Sequence, residues 1–334
     1  MKYLRMLFDK FTLTLLGVVA LATVLPCEGE GALWFGWATN LAIGLLFFLH
    51  GAKLSREAII AGAGHWRLHL LVFGCTFVLF PLLGLAFKPL FVPLVGDELY
   101  LGVLYLCALP ATVQSAIAFT SLARGNIPAA ICSAAASSLL GIFLTPVLVM
   151  LLLGAGGDTG SGLDAVLKIT LQLLVPFIAG QVARRWIGSW VKRNARWLKI
   201  VDQGSILLVV YTAFSEAVVT GLWSTVSPQH LAGLFAVCII LLAIAMLLIR
   251  MLGKLLGFNI EDRITILFAA SKKSLATGVP MAQVLFVGTG IGAMILPLML
   301  FHQIQLMVCA VLAQRYASRE EAIEQTPVAS SRQR

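Results

Sequence analysis

The sequence predicts an all-α integral membrane protein with ten transmembrane helices in two inverted five-helix repeats. Of its 334 residues, 60% are hydrophobic and only 12% are charged, and the mean hydropathy is +0.96. A soluble domain is about 25% charged, and no soluble core of this size absorbs so much apolar sequence. The length of the apolar segments and the distribution of basic residues support the same class.

Ten apolar segments of about 20 residues, the length that crosses a bilayer, are separated by charged or Gly/Pro-containing breaks. They are residues 11–26, 32–50, 66–87, 99–123, 127–153, 163–183, 199–223, 230–253, 263–287 and 290–314. We number them spans 1 to 10.

Lysine and arginine accumulate in cytoplasmic loops. With the N-terminus inside, all but four of the 24 Lys and Arg residues fall on the cytoplasmic side: Lys88 and Lys168 lie in outer loops, and Lys272 and Lys273 lie within span 9. This alternation predicts a multi-pass protein of the plasma (inner) membrane with cytoplasmic N- and C-termini. It accounts for the net charge of +9 without a nucleic-acid partner. The basic run 184–199 is expected to contact anionic headgroups of the lipid bilayer.

Span 4 is interrupted. It reads YLGVLYLCALPATVQSAIAFTSLARGN, and Pro110 breaks it just before Thr112, Gln114 and Ser115. Proline cannot continue the hydrogen-bond ladder of a helix and clashes with the preceding turn. The three polar side chains after the break are therefore candidates for binding a substrate or an ion.

Span 9 is interrupted in the same way. It reads ILFAASKKSLATGVPMAQVLF, in which the polar run is Ser271, Lys272, Lys273 and Ser274, and Gly278 and Pro280 are the predicted helix breakers. Broken backbone is tolerated at membrane depth only where it is buried or lines a cavity. Two ordinary proline kinks in a passive bundle are the alternative explanation.

Ten spans divide into two halves of five, so the second half begins on the opposite side of the membrane. GIFLTPVLVMLLL and GAMILPLMLFHQI, in the last span of each half, both carry a proline five residues after their first glycine. Two interrupted helices at corresponding places in inverted halves indicate the binding site of a transporter.

The motifs LPATVQSAIAFTSLARGN, GIFLTP, FAASKKSLATGVP and LPLMLFHQ resemble spans 4, 5, 9 and 10 of the bile acid:sodium symporter family. The form SxKSLxxGxP, with YTAFSEA at 211–217, is most similar to the divergent branch typified by the seventh member of solute carrier family 10. The resemblance implies a core domain, 66–154 and 229–314, in which broken spans 4 and 9 cross. It also implies a separate panel domain, 11–50 and 163–223, with substrate bound between the two and alternating access by their relative motion.

The resemblance also implies a stripped sodium site. Sodium-coupled members bind the ion through a Glu and a Gln on span 9 and through polar groups on spans 4 and 5. Here the acidic position falls near Ala269 or Ala270, the Gln position falls near Lys272, and two hydroxyl positions become Ala130 and Ala134. We therefore expect no cofactor and no resident metal, with Na⁺ or H⁺ left open as a coupling ion.

A charge near the bilayer centre costs roughly 2.5–3.5 kcal/mol, so Lys272 and Lys273 need a physical reason. One ammonium could replace sodium as a tethered cation or carry a coupling proton. The alternatives are direct contact with an anionic substrate and a structural ion pair. Adjacent residues on a helix point about 100° apart, so both can serve one small site only if the backbone is unwound.

Four other polar residues within the spans are candidates. Glu216 is a partner for a lysine, a proton relay, a substrate contact or a wet residue near the outer surface. Asn40, His302 and Gln303 are further candidates, although a lone histidine such as His302 is more often a packing residue. The six scattered cysteines are expected to pack without disulfides or metal.

The leading hypothesis is a symporter-like secondary active transporter for a small organic anion or amphipathic solute, because half-helix N-termini and a nearby lysine favour anions. The alternative is a non-transporting membrane regulator or scaffold that retains the fold. An enzyme is not expected, since Glu216, His50 and His302 match no catalytic spacing and HExxH and GxSxG are lacking. Residues 315–334 are expected to form a disordered cytoplasmic tail, and the sequence carries no signal for an oligomeric state.

Overall fold

A computed structural model describes residues 10–53, 64–153, 162–219, 221, 226–286 and 291–324, and all regular secondary structure within them is helical. The helices are α1 Lys10–Val24, α2 Gly29–Lys53, α3 Trp66–Gly74, a π-helical turn Cys75–Leu79, α4 Phe80–Ala86, α5 Lys88–Ala108, α6 Gln114–Leu122, α7 Ile127–Leu153, α8 Gly162–Arg193, α9 Ala195–Val219, α10 Pro228–Leu255, α11 Ile260–Ala270, α12 Leu275–Leu285 and α13 Ile291–Glu324.

Seven helical segments in the described part of the chain are long and apolar enough to cross a membrane. They are α2, the continuous run Trp66–Ala86, α5, α7, α9, α10 and α13. The prediction of an all-helical, multi-pass membrane protein is therefore confirmed. Within the described residues, each of the ten predicted spans overlaps helical backbone, and spans 4 and 9 each contain two shorter pieces.

The two interruptions have the same form. In span 4 the helix ends at Ala108 and resumes at Gln114, and in span 9 it ends at Ala270 and resumes at Leu275. Gly278 and Pro280, predicted as helix breakers, both lie inside α12. The break occurs earlier, where Ser274 caps α12 by accepting a hydrogen bond from the Thr277 N–H. That part of the prediction was wrong, because the cap sets the helix start and the proline lies only six residues into the helix.

Several boundaries also differ from the sequence prediction; α8, for example, continues to Arg193, ten residues past the predicted end of span 6. The outer loop predicted at 88–98 is largely helical, because α5 begins at Lys88 with a proline in its first turn, a position that proline favours. Gly96, with φ of 77°, bends this helix. At the other end of the chain, α13 continues to Glu324, so the tail predicted to be disordered from 315 is helical as far as that residue. Residues 325–334 lie outside the described part.

The helices pack in two groups that also contact each other, through α7 with α8 and through α9 with α12 and α13. Helices α1, α2, α8 and α9 contact one another, and α5, α10, α13 and the four helices around the breaks (α6, α7, α11 and α12) contact one another. Gly51 of α2 lies against the carbonyl of Phe177, and Gly180 of α8 lies against the carbonyl of Phe48, so neither has room for a side chain. Small residues allow close helix approach in membranes, and this pair joins α2 to α8 backbone to backbone.

Candidate functional site

The two breaks are bonded to each other. The Ser274 N–H donates to the Pro110 carbonyl at 3.0 Å. On the other side of the span 4 break, the Ala111 N–H donates to Ser137 Oγ at 3.0 Å, and Thr145 Oγ1 donates to the Ala108 carbonyl at 3.0 Å. Helix α7 therefore supplies hydroxyls that satisfy the backbone groups freed by the break, as non-helical backbone at membrane depth requires.

A cavity of about 370 Å³, which we call the break cavity, opens beside the breaks. Its polar lining includes Thr112, Gln114, Ser115, Ser138, Ser274, Thr277 and His302, and α2 and α9 contribute His50, Lys199, Asp202 and Gln203. The first turns of α6 and α12 both line it. The residue that precedes α6 is Val113, whose side chain forms no capping hydrogen bond. The N-terminal ends of two half-helices, which carry partial positive charge, thus meet at one cavity.

Two hydroxyls of this lining have no hydrogen-bond partner among the described residues. They are Thr277 Oγ1 and Ser138 Oγ, and Thr277 is only 3% exposed. A buried hydroxyl without a partner costs about 1–3 kcal/mol. Each of these two oxygens has less than 1 Å² of accessible surface, so a solute would reach them only after a small change in the shape of the cavity.

A second cavity of about 600 Å³, the distal cavity, lies at the other end of the same helices. It contains Asn40, Glu216 and Gln283, together with Thr39 and Thr212, whose hydroxyls share a hydrogen bond of 2.8 Å. On α2, residues in the N-terminal half line the distal cavity, and His50, near the C-terminus, lines the break cavity. On the antiparallel α9, residues near the N-terminus line the break cavity and those near the C-terminus line the distal cavity. Between Thr277 and Gln283, α12 separates the two cavities by about 9 Å of helix rise.

Lys273 is fully buried and holds its ammonium in a cage of carbonyl groups. Its Nζ donates to the carbonyls of Thr76, Cys107 and Leu109, each at 2.8 Å, and lies 4.3 Å from the centroid of the Phe80 ring. Cys107 and Leu109 lie at the C-terminal end of α5, where helix carbonyls lack intrahelical donors and the dipole favours a cation.

The third carbonyl is free because of the π-helical turn. In this turn the Phe80 N–H donates to the Cys75 carbonyl, five residues back. In the same register Thr76 would pair with residue 81, which is Pro81 and has no N–H. The Thr76 carbonyl is therefore without a backbone donor, and the ammonium supplies one. Pro81 was the only sequence signal for this arrangement, and it was not used in the prediction.

Lys272 is equally buried but is held differently. Its ammonium lies 4.3 Å from the centroid of the Phe119 ring and 5.6 Å from that of Phe268. It forms no hydrogen bond with any residue that the structure describes. A cation–π contact contributes about 0.5–2 kcal/mol, so this ammonium is much less well compensated than that of Lys273. Because residues 271–274 are not helical, the adjacent lysines point into two separate environments.

Gln305 fixes the backbone of Lys273. Its Oε1 accepts from the Lys273 N–H at 2.8 Å, and its Nε2 donates to the Lys273 carbonyl at 2.9 Å. Gln305 is fully buried, and the sequence prediction missed it in favour of His302 and Gln303. Of those two, His302 lies beside Gln305, with 2.9 Å between its Nδ1 and Gln305 Nε2, and lines the break cavity. Gln303 is not among the residues that line either cavity.

The predicted site residues therefore separate into three places. Thr112, Gln114, Ser115, Ser274 and His302 come together in the break cavity, and Asn40 and Glu216 line the distal cavity. Ser271, Lys272 and Lys273 are sealed between the helices and line neither cavity. Within the described ranges neither lysine forms a salt bridge, so the structure does not bring Glu216 to them.

The fold is that of a multi-pass helical membrane protein. The chain belongs to the SBF-like CPA transporter family, whose model matches residues 9–318. This confirms the resemblance drawn from the motifs of spans 4, 5, 9 and 10.

Three relatives illustrate the range of similarity. The uncharacterized protein PA2026 of Pseudomonas aeruginosa is 70% identical, with 95% of each chain covered. YfeH of Escherichia coli K12, provisionally named a symporter, is 58% identical with 97% of each chain covered. Sodium/bile acid cotransporter 7-A of Xenopus laevis is 29% identical with 86% of each chain covered.

Proposed function

We propose that the chain is a secondary active transporter that moves a small organic anion or amphipathic solute by alternating access between the break cavity and the distal cavity. The observation that carries the proposal is the break cavity itself. Two half-helix N-termini and the unpartnered Thr277 and Ser138 hydroxyls line one space. Partial positive charge at both termini favours an anion there.

The architecture proposed for this cycle is ten transmembrane helices in two inverted repeats, with both termini in the cytoplasm and the chain in the inner membrane. Helices α1, α2, α8 and α9 form the panel, and the remaining helices form the core, in which the breaks of spans 4 and 9 cross. The hydrogen bond from Ser274 to Pro110 and the packing of the two helix groups support this division. Relative motion of panel and core would open each cavity in turn.

We further propose that Lys273 replaces a coupling cation. Three carbonyl oxygens at 2.8 Å around one ammonium supply the kind of oxygen shell that a hard cation prefers. A relative named as a sodium/bile acid cotransporter supports a family origin in ion-coupled transport. In this chain the tethered ammonium would stand where such a cation binds, which leaves H⁺ as the coupling ion if the cycle is coupled.

Transport by purified protein in liposomes tests the proposed function. The probes are taurocholate, a bile-salt anion, and a set of three- to six-carbon mono- and dicarboxylates, each offered with a Na⁺ gradient, with a H⁺ gradient and with neither. Uptake of at least one anion above protein-free liposomes is the expected result. If folded, monodisperse protein moves none of them, the transporter proposal fails and the scaffold alternative takes its place.

Thr277→Val provides the site-specific arm of this test. It removes one unpartnered hydroxyl from the break cavity, and a lost hydrogen bond of about 0.5–1.5 kcal/mol corresponds to roughly 2- to 10-fold weaker half-saturation. Thr120→Val is the matched control, because Thr120 Oγ1 is also buried without a partner but lines neither cavity. Equal effects of the two substitutions would remove the break cavity from the substrate path.

A further inference from the structure

The basic run 184–199, at the end of α8 and the start of α9, lines a cavity in addition to its expected contact with headgroups. A third cavity of about 400 Å³ lies beside it. Its lining is Lys53, Gln114, Arg184, Val191, Lys192, Ala195, Lys199 and Asp202. We call it the basic cavity, and it lies where the end of α2, the last turns of α8 and the first turns of α9 meet.

Two contacts hold the inner wall of the basic cavity in place. Arg184 Nη1 donates to the Ala52 carbonyl at 3.0 Å, one of the last carbonyls of α2. Lys53 forms a salt bridge with Asp202 through Oδ2 of that carboxylate. Both contacts tie α2 to its neighbours, so the wall does not depend on a ligand for its shape.

The charge of the basic cavity is not balanced by its own lining. Four basic side chains and one carboxylate leave a formal charge of +3. Lys53 uses the carboxylate, whereas Lys192 and Lys199 are exposed and form no salt bridge with any described residue. A concave site lined by one sign of charge concentrates counter-ions. The charge suits a dianion better than a single carboxylate, and a phosphate monoester carries about −1.5 to −2 at pH 7.

A second observation identifies a hydrogen-bond donor on the ligand. Asp202 is only 8% exposed, and its Oδ1 has no partner among the described residues. A buried carboxylate oxygen accepts and cannot donate, so it requires an N–H or O–H group. Lys199 precedes Asp202 by three residues on α9, and side chains at that spacing lie on the same face of a helix. A phosphate near Lys199 thus places its own substituents near Asp202.

We propose that the basic cavity binds a phosphate ester that carries a hydroxyl group, with the phosphate at Lys192 and Lys199 and the hydroxyl donating to Asp202 Oδ1. A free polyol phosphate is such a monoester dianion, whereas the headgroup of a glycerol-containing anionic lipid offers the same phosphate and hydroxyl groups with one negative charge, because its phosphate is a diester. The proposal does not depend on transport. The basic cavity shares Gln114, Lys199 and Asp202 with the break cavity, so an occupant would lie at the mouth of the break cavity.

The soluble arm of the test measures binding to delipidated protein in a neutral detergent by calorimetry. The ligands are glycerol 3-phosphate and n-propyl phosphate, which has the same chain length without hydroxyl groups. Glycerol 3-phosphate is expected to bind at least threefold more tightly. The double variant Lys192→Gln/Lys199→Gln, whose positions are exposed and tolerant, is expected to lose at least tenfold in affinity.

The control is Arg185→Gln/Arg196→Gln, which removes the same charge from the same segment at exposed positions outside the lining. It is expected to change affinity less than twofold. Equal losses of affinity in the two double variants would show that binding depends only on general surface charge, and the proposed site would then be wrong. Equal affinity for the two phosphate esters would overturn the role of Asp202.

The lipid arm uses native mass spectrometry of protein from vesicles of phosphatidylglycerol and phosphatidylethanolamine. Retention of phosphatidylglycerol by the unchanged protein and the arginine control, but not by the lysine variant, supports a headgroup as the occupant. Binding of glycerol 3-phosphate without lipid retention supports a soluble occupant. If neither ligand is held in a lysine-dependent manner, the proposal is wrong.

Discussion

Loss of the side-chain charge should destabilise the protein at Lys273 and leave its stability nearly unchanged or higher at Lys272. Lys→Met keeps most of the aliphatic stem and removes the ammonium, so the comparison of Lys273→Met with Lys272→Met isolates the terminal nitrogen. At position 273 the substitution deprives the carbonyls of Thr76, Cys107 and Leu109 of their donor. At position 272 it removes no hydrogen bond and only the contacts with Phe119 and Phe268.

The magnitudes follow from these contacts. A buried acceptor left without its donor costs about 1–3 kcal/mol, and relief of the desolvation of a buried charge offsets part of the total. We expect Lys273→Met to lower the free energy of unfolding by about 3–6 kcal/mol, or to lower Tm by roughly 6–12 °C. For Lys272→Met, the free energy of unfolding should lie within about 1 kcal/mol of that of the unchanged protein or exceed it, because the substitution removes an ammonium that lacks hydrogen bonds.

Chemical rescue tests whether the carbonyl cage selects a cation. Lys273→Ala removes the equivalent of propylammonium, so propylammonium chloride should raise the Tm of this variant more than choline chloride at the same ionic strength. Lys272→Ala serves as the control and should gain nothing from propylammonium beyond the effect of choline. Thermal unfolding in detergent, followed by intrinsic fluorescence, measures all four variants. Equal destabilisation by the two methionine substitutions, or equal response of both alanine variants to the amine, would refute the assignment of a tethered cation to Lys273.

Three further predictions concern the surroundings of the site. Gln305→Leu should cost about 2–4 kcal/mol, because it strands both the N–H and the carbonyl of Lys273, while Gln305→Glu keeps one acceptor and should cost less in the same unfolding assay. Gly180→Val should lower stability by at least about 2 kcal/mol through its clash with the Phe48 carbonyl; Gly204→Val, with open space around it, is the control, and equal losses would show that only helix propensity is being measured. Uptake of any transported anion should be unchanged within about twofold when N-methylglucamine replaces Na⁺, since a tethered ammonium does not exchange; a strict Na⁺ requirement would contradict the proposal that Lys273 replaces the coupling cation.

Much of the fold could be predicted from the sequence because membrane insertion imposes simple rules on length and charge. The apolar segments and the asymmetry of basic residues located the helices, although the start of α5 and the ends of α8 and α13 lie 10 or 11 residues from the prediction, and the all-helical, multi-pass class is confirmed. Where the prediction was wrong, local chemistry decided. A proline at a favoured position started α5 at Lys88, and the cap at Ser274 set the beginning of α12 ahead of Gly278 and Pro280.

The interior of the site was less predictable, because it depends on pairings between distant segments. Lys272 and Lys273 were recognised as costly, but their separate surroundings depend on an unwound backbone and on residues more than 100 positions away, such as Phe119 and Thr76. No periodic pattern in the sequence links Gln305 to the backbone of Lys273. The sequence showed which polar residues lie within apolar helices. Their partners are backbone carbonyls, and because every residue has one, the sequence gives no signal for which carbonyls pair with them.

Each helix break presents two kinds of chemical group, one to the carbonyl cage around the Lys273 ammonium and one to the break cavity. The end of α5 presents carbonyls to the Lys273 ammonium, while the start of α6 lines the break cavity. In span 9 the non-helical run carries the ammonium into the carbonyl cage, and Ser274, directly after it, caps α12 and lines the same cavity. The carbonyls at the end of α5 are therefore neutralised inside the protein by the Lys273 ammonium, and the N-terminal ends of α6 and α12 line the break cavity. The Lys273 ammonium thus joins the non-helical run of span 9 to the end of α5, and the Ser274 N–H joins the same run to Pro110, so the cation that links the two interrupted helices is part of the polypeptide.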